Sequence, residues 1–420
     1  VSTGDDFIPF CKPSFEEEDI DALVRTIRSG WWTSGPRVSE FEEAFAAYAE
    51  SRHAVAVSSC TAALHLSLES LGVSSGDLVF LPAYTFAATA EVILYSGAVP
   101  VFLDIERDSM NLDPAQLARA LEITVSEDRV GAARDAEAEG LLAPGTARVL
   151  SRSEGRAAAV IPVHLAGMAC EMDSILPVAR RHQAAVVEDA AHAVETRYRQ
   201  RKVGSIGDAT AFSFYATKNL TTGEGGMVTT DDSDLAERVR RLSLHGISKD
   251  AWNRYTASGS WRYEVVERGF KYNMSDIAAS LGLGQLQRIE ATAERRREIV
   301  RRYTAAFSDV AAIECPRDDQ SGVHAWHLYV VRLRPENLSI DRAEFIERMR
   351  ERGIGTSVHF MPLHLHRFYA EEFGYGEGDF PVAEGVYSRA VSLPLYPHLT
   401  DAEVGRVCSA VREICAEHRT

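Results

Sequence analysis

Short unbroken apolar runs recur along this chain. Between them lie segments whose apolar residues fall at every third or fourth position. The runs at 53–57, 78–81, 99–103, 157–163, 184–187 and 225–230 read as buried strands, because each is short, rich in Val, Leu, Phe or Ala, and bounded by turn residues. Helical spacing fills the gaps. A capping-box pattern at Ser14–Phe15–Glu16–Glu17 predicts a helix to Arg28, stopped by Gly30. A second such pattern at Ser39 opens a helix to about Glu50, and Ser58–Ser59–Cys60–Thr61 opens one to Leu71. Further helices are expected from Phe86 to Tyr95, from Asp113 to about Leu121, over 173–182 and over 231–244. Strands alternating with helices of this length predict an α/β domain, with a mostly parallel sheet covered on both faces.

The pattern changes twice. From Thr124 to about Arg156 it turns charged, Ala/Glu/Arg-rich and aperiodic, which reads as an insertion, partly helical or mobile. After a long helical segment over 276–303, the stretch from about Ser321 alternates as a strand over 326–333. It then gives a helix over 340–352, a strand over 355–360 and two closing helices. The expected organisation is an N-terminal arm over 1–35, a large domain over 36–270 and a linker helix with a smaller α+β domain over 271–420.

The candidate chemistry lies where strands end, because ligands of parallel sheets gather at the carboxyl edge. The run ending Val187–Glu188–Asp189 delivers a carboxylate, and Ala211–Phe212–Ser213 leads through Tyr215 and Thr217 to Lys218, with Gly223–Glu224–Gly225–Gly226 close behind. Among aromatic, hydroxyl and glycine neighbours, burial disfavours the lysine ammonium. That suits an imine-forming amine of the kind that holds pyridoxal phosphate (PLP), with Asp189 against the ring nitrogen. Helix amides after Ser59 make an anion site, although a plain Ser/Thr N-cap accounts for them equally. Phe86 suits ring stacking or simply the core. His164 follows a strand end. The loop over 245–263 mixes Arg254 and Tyr255 with tryptophans, as ligand-facing loops and pinned loops both do. The basic stretch 197–202 reads as a short hairpin, either a solvated turn or a contact to a diphosphate. His359, His364 and His366 are close in sequence, but Pro362 breaks metal-ligand spacing, so no metal is expected.

Taken in order, Ser59–Cys60–Thr61–Ala62–Ala63–Leu64, Pro82–Ala83–Tyr84–Thr85–Phe86, Ile161 to Gly167, Glu188 to His192, Phe212 to Asn219, Gly223 to Gly226 and Gly269 to Asn273 resemble the DegT/DnrJ family over nearly the whole chain. These are PLP-dependent nucleotide-sugar aminotransferases of the aspartate-aminotransferase fold (fold type I). The resemblance implies that Lys218 binds the cofactor covalently, Asp189 pairs with its ring nitrogen and Phe86 stacks on it. The Thr61 and Ala62 amides with Ser213 hold its phosphate, and His192 lies beside the ring. It implies a homodimer in which Asn273 reaches the neighbouring subunit's cofactor. The substrates implied are an amino-acid donor, L-glutamate, and a nucleotide-linked ketosugar; by their own positions in the chain, His164, Arg254, Tyr255 and His359 are candidates to face it. His192 in place of glutamine points to C4 of a 4-keto-6-deoxyhexose. A 3-ketosugar or cyclitol aminotransferase is the alternative, and a non-catalytic PLP-binding regulator is the alternative of another class. Cys60 stands where many members have glycine, and the 124–156 stretch exceeds the usual connection.

Composition narrows the partners. The net charge of −16 opposes nucleic acid or an anionic membrane as the main partner. No apolar run approaches the ~20 residues of a membrane-spanning helix. Six cysteines without a CxxC pair read as a reduced set. The polar start of the chain does not read as a signal peptide. The expected location is the cytoplasm.

Overall fold

In the computed structural model of the protein, residues 6–247, 263–318 and 322–420 are described. The strands are β1 (His53–Val57), β2 (Leu78–Pro82), β3 (Val99–Leu103), β4 (Ala157–Val160), β5 (Ala185–Asp189), β6 (Arg197–Tyr198), β7 (Arg201–Lys202), β8 (Ala209–Ser213), β9 (Gly226–Thr230), β10 (Ile313–Glu314), β11 (Tyr329–Leu333) and β12 (Ala390–Leu393). Seven of them form one sheet in the order β1-β9-β8-β5-β4-β2-β3. Pairings among β3, β2, β4, β5 and β8 are parallel, and β9 runs antiparallel to both its neighbours. Helices cover both faces, so strand residues such as Val79, Phe80, Val187 and Phe212 are fully enclosed. β6 and β7 pair as a small hairpin, but Tyr198 and Lys202 in it are buried rather than solvated. A separate sheet, β10-β11-β12, carries a second apolar core with Tyr303, Phe307, Tyr329, Phe345 and Val404.

Several elements differ from the sequence expectation. The first helix, Glu17–Ser29, is capped by Glu16 with Asp19 completing the box, rather than by Ser14. Ser14 bonds His398 instead, through its hydroxyl. The second helix begins at Pro36, where the fixed φ of proline suits the first turn. The 124–156 stretch folds into helices Arg129–Ala138 and Pro144–Arg152. They bury Gly131, Ala133, Ala136, Ala147 and Leu150, and Arg148 pairs bidentately with Asp379 at 2.7 and 2.9 Å. The buried face of the first is made of small residues, so apolar periodicity does not show it, and the second is short, with Val149 and Leu150 as its larger buried residues. The long helix is two, Asp276–Gln287 and Ile289–Phe307, broken at Arg288, whose guanidinium turns back to Asp19 and the Gly284 carbonyl. The stretch 355–360 is not a strand; Ser357 alone bridges Ser392. Three helices, not two, close the chain: Arg367–Phe373, Pro381–Tyr387 and Asp401–Glu417.

Candidate active site

β5 positions the carboxylate. Successive side chains of a strand point to opposite faces, so Glu188 and Asp189 part company. Glu188 turns into the protein, where its carboxylate accepts from His164 Nε2 (2.9 Å), the Gly207 amide (2.8 Å) and Thr210 Oγ1 (2.7 Å). Burial pushes its pKa up, but the His164 bond and the two other donors together outweigh this and hold it below the ordinary value. Asp189 faces the other way, toward a cavity of ≈ 640 Å³ at the carboxyl edge of the sheet. Its Oδ2 accepts from Thr89 Oγ1 at 2.8 Å and its Oδ1 from the Ala191 amide at 3.1 Å. Burial raises its pKa against these two bonds.

The helix Ala87–Tyr95 places two more groups. Phe86 is its N-cap residue and Thr89 lies three positions on, over the same turn. Phe86 is 61% exposed, with its ring centroid 5.7 Å from that of Phe360. Thr89 is fully buried against Asp189. An exposed aromatic at the mouth and an enclosed hydroxyl beneath it thus share one helix start.

β8 brings Ser213 to the same edge, and the turn after it carries Lys218 into the cavity. Lys218 Nζ has no hydrogen-bond or ion-pair partner among the described residues. Burial pushes its pKa down to about 8, against the opposing pull of Cys60, Asp189 and Cys11. Lys218 is the single lysine or arginine among the described residues that line the cavity.

The opposite wall is the N-terminus of the helix Cys60–Ser70. Ser59 caps it, its Oγ accepting from the Ala62 amide at 3.0 Å. The first two amides, Cys60 and Thr61, are therefore the open donors at this helix end. Gly226 makes the approach of β9 possible, since a Cβ there would fall 2.4 Å from the Ser59 carbonyl group. That close approach accounts for Gly226, while Gly223 takes a left-handed turn at φ +81°.

Three histidines complete the wall. His192 Nδ1 accepts from the Ala166 amide at 3.2 Å, and its ring lies 4.3 Å from that of His327. His359 bonds Ser392 Oγ through Nδ1 at 2.8 Å. Burial and the Lys218 charge push His359 down to about 4 and His192 well below its ordinary value.

Of the residues singled out from sequence, Thr61, Phe86, Asp189, His192, Ser213, Lys218 and His359 therefore share one cavity. Three others do not line it. The Ala62 amide is engaged by Ser59, so the open donors stand one residue earlier than expected. His164 is fully buried, with Nε2 on Glu188 and Nδ1 accepting from the Cys170 amide at 3.0 Å, and has no face toward a sugar. Asn273 bonds Ser34 Oγ at 2.8 Å and accepts from Lys271. Arg254 and Tyr255 lie outside the described residues. Sequence reasoning missed Thr89, one turn beyond Phe86, and His327, a polar residue in the apolar run Trp326–Leu333 that could have drawn attention.

Residues 13–128 and 137–412 match the DegT/DnrJ/EryC1/StrS aminotransferase family. The chain belongs to this family. It is 47% identical to the spore coat polysaccharide biosynthesis protein SpsC of Bacillus subtilis over 415 residues, 99% of this chain and 98% of that protein. Spr1654 from Streptococcus pneumoniae, described as a sugar aminotransferase and solved in its PMP form, matches with TM-score 0.83 and 31% identity over 98% of both chains. Its PLP form matches equally well. Helicobacter pylori PseC, an aminotransferase involved in the biosynthesis of pseudoaminic acid, gives TM-score 0.83 and 26% identity over 98% of this chain and 100% of that one. This DegT/DnrJ-family protein is thus a PLP-dependent sugar aminotransferase of fold type I. The break in the family match falls in the helix Arg129–Ala138 of the insertion.

The cavity fits PLP by its own chemistry. It offers an amine without a partner among the described residues, a carboxylate at the same sheet edge, an exposed aromatic face and open amides at a helix N-terminus, which match the cofactor's aldehyde, ring nitrogen, ring and phosphate.

Proposed function

We propose that Lys218 is the lysine that holds PLP, that Asp189 faces the ring nitrogen and that Phe86 covers the ring. The Cys60 and Thr61 amides with Ser213 receive the phosphate. The observation that carries this reading is Lys218 itself, an amine without a partner among the described residues, in a cavity shared with a buried carboxylate. When bound, PLP supplies the electron sink for breaking the bond to hydrogen at the amine-bearing carbon. The residues of the chain do the rest. Asp189, held by Thr89 and the Ala191 amide, keeps a negative charge at the base of the cavity, which favours a protonated ring nitrogen. Lys218 Nζ, whose depressed pKa brings it near neutrality, takes up and returns the proton. His192 lies beside them as a neutral ring.

The amino donor in this reading is L-glutamate, and the acceptor is a nucleotide-linked ketosugar, aminated at C4 of a 4-keto-6-deoxyhexose. SpsC by its name acts in polysaccharide biosynthesis and PseC in that of an amino sugar acid, which supports a sugar acceptor of this kind. Histidine rather than glutamine at position 192, on the cavity wall, supports the C4 assignment. The enzyme works as a homodimer in the cytoplasm. Asn273 lies off its own cavity wall, in keeping with service to the partner subunit's cofactor.

A donor and acceptor panel tests the proposal. Glutamate should change the visible absorbance of the holoenzyme and release 2-oxoglutarate, which a non-catalytic regulator would not do. The PMP form should then aminate a 4-ketosugar nucleotide in preference to a 3-ketosugar or a cyclitol ketone. Preference for either of the latter overturns the C4 assignment. Lys218→Ala should abolish turnover and leave the dimer intact; transamination at the wild-type rate refutes the role of Lys218.

A further inference from the structure

Asn219 follows Lys218 directly, yet its side chain leaves the cavity. Its Nδ2 lies 2.9 and 3.0 Å from the two carboxylate oxygens of Glu195 and 2.9 Å from the Ala325 carbonyl. All these groups are buried. A backbone carbonyl only accepts, so the atom facing Ala325 must be the NH₂ group of the amide. That fixes the other end. Asn219 Oδ1 is the atom 3.1 Å from His327 Nδ1, and it accepts. His327 Nδ1 therefore carries the proton, and its Nε2 presents a lone pair.

His192 is set the opposite way. Its Nδ1 accepts from the Ala166 amide, and a backbone N–H only donates, so the proton of the neutral ring sits on Nε2. The two rings are neighbours, 4.3 Å between centroids at 35°, and both line the cavity that holds Lys218. Both are more than nine-tenths buried. A neutral donor and a neutral acceptor stand side by side on one wall.

We propose that His327 contacts the sugar, its Nε2 accepting a hydrogen bond from a substrate hydroxyl while the Nε2–H of His192 donates to a hydroxyl oxygen beside it. A sugar hydroxyl is donor and acceptor at once, so this pair matches its chemistry. Asn219 and Glu195 are positioning residues that fix the His327 tautomer. The inference deepens the reading of the Lys218 cavity as the active site of a sugar aminotransferase and rests on it.

The test uses holoenzyme in its PMP form and four probes: UDP-glucose and dTDP-glucose, with UDP and dTDP as sugar-free controls, measured by calorimetry. Asparagine reproduces the Nδ1 position of histidine and glutamine the Nε2 position. In wild type at least one sugar nucleotide should bind about tenfold tighter than its bare diphosphate, the size of one neutral hydrogen bond. His327→Asn keeps the bond to Asn219 and should erase that preference, leaving diphosphate binding unchanged. His327→Gln should restore most of it. Asn219→Ala, with His327 intact but free to turn, should weaken it. A His327→Asn protein with the wild-type sugar preference overturns the proposal while the sugar-aminotransferase reading stands. Wild type that binds neither sugar nucleotide tighter than its diphosphate also overturns the sugar contact, and the donor and acceptor panel then judges the sugar-aminotransferase reading separately.

Discussion

The reactivity of Lys218 is open to direct measurement. An ordinary lysine titrates at 10.5, and burial brings this one to about 8. At pH 7 the neutral fraction then rises from roughly 0.03% to roughly 10%, about 300-fold. The chain suits the experiment, because it has five lysines: Lys12, Lys202, Lys218, Lys249 and Lys271. Cofactor-free protein is exposed to trace acetic anhydride from pH 6 to 10, and each lysine's labelling is read by peptide mass spectrometry. The Lys218 labelling curve should have its midpoint near 8. Lys202 is an internal comparison. It also stands at about 8, through burial, but its ammonium sits 3.9 Å from the Tyr48 ring centroid and outside the cavity. It should share the midpoint and label more slowly. Asp189→Asn removes an anion that pulls the Lys218 pKa upward, so the midpoint should fall further. A Lys218 midpoint at 10 or above, or an upward move in Asp189→Asn, refutes the argument from burial.

Thr89→Val removes a buried donor to Asp189 Oδ2. It should weaken PLP binding by roughly tenfold or more, and an unchanged Kd in a fluorescence titration counts against the role of Asp189. Glu188→Ala orphans the three groups that bond its carboxylate, and should cost about 3–5 kcal/mol in urea unfolding; a loss below about 1 kcal/mol rejects a structural role for the Glu188–His164 pair. His324 is stacked on Trp326 and kept neutral by burial, its pKa lowered to about 3. The unfolded chain binds a proton at this histidine near pH 6.5 and the folded chain does not, so its contribution to stability falls as pH drops below 6.5. Between pH 7 and 5 wild type should therefore lose about 2 kcal/mol more than His324→Asn, and parallel pH profiles would rule this out. If Asn273 serves the partner subunit, mixing Lys218→Ala with Asn273→Ala subunits rebuilds one intact site per mixed dimer. Activity should exceed that of either parent, and no gain after subunit exchange dismisses the shared site.

Lys218 and Asp189 were legible because each follows an apolar strand. Such a strand enters a parallel sheet in one direction, and its end is the ligand edge. Strand position does not say which way a side chain turns beyond that edge. His164 follows β4 closely but turns inward to Glu188, whose buried carboxylate needs the donor more than a cavity would. The Glu188–Asp189 pair shows the same limit, since two adjacent acids differ only through the period of two. The first insertion helix was hidden because its buried face is Gly131, Ala133 and Ala136, residues that add little to an apolar count, and the second is only nine residues long. The break at Arg288 and the cap at Glu16 share one cause. Asp19 completes the cap and accepts the Arg288 guanidinium, a contact between segments far apart in the chain. His327 was hidden in the same way. In sequence it is a histidine in a strand. Its tautomer is set by Asn219, and that amide is oriented by Glu195 and Ala325. A run of residues carries its own period, but the proton on a histidine nitrogen is decided by groups that meet only once the chain has folded.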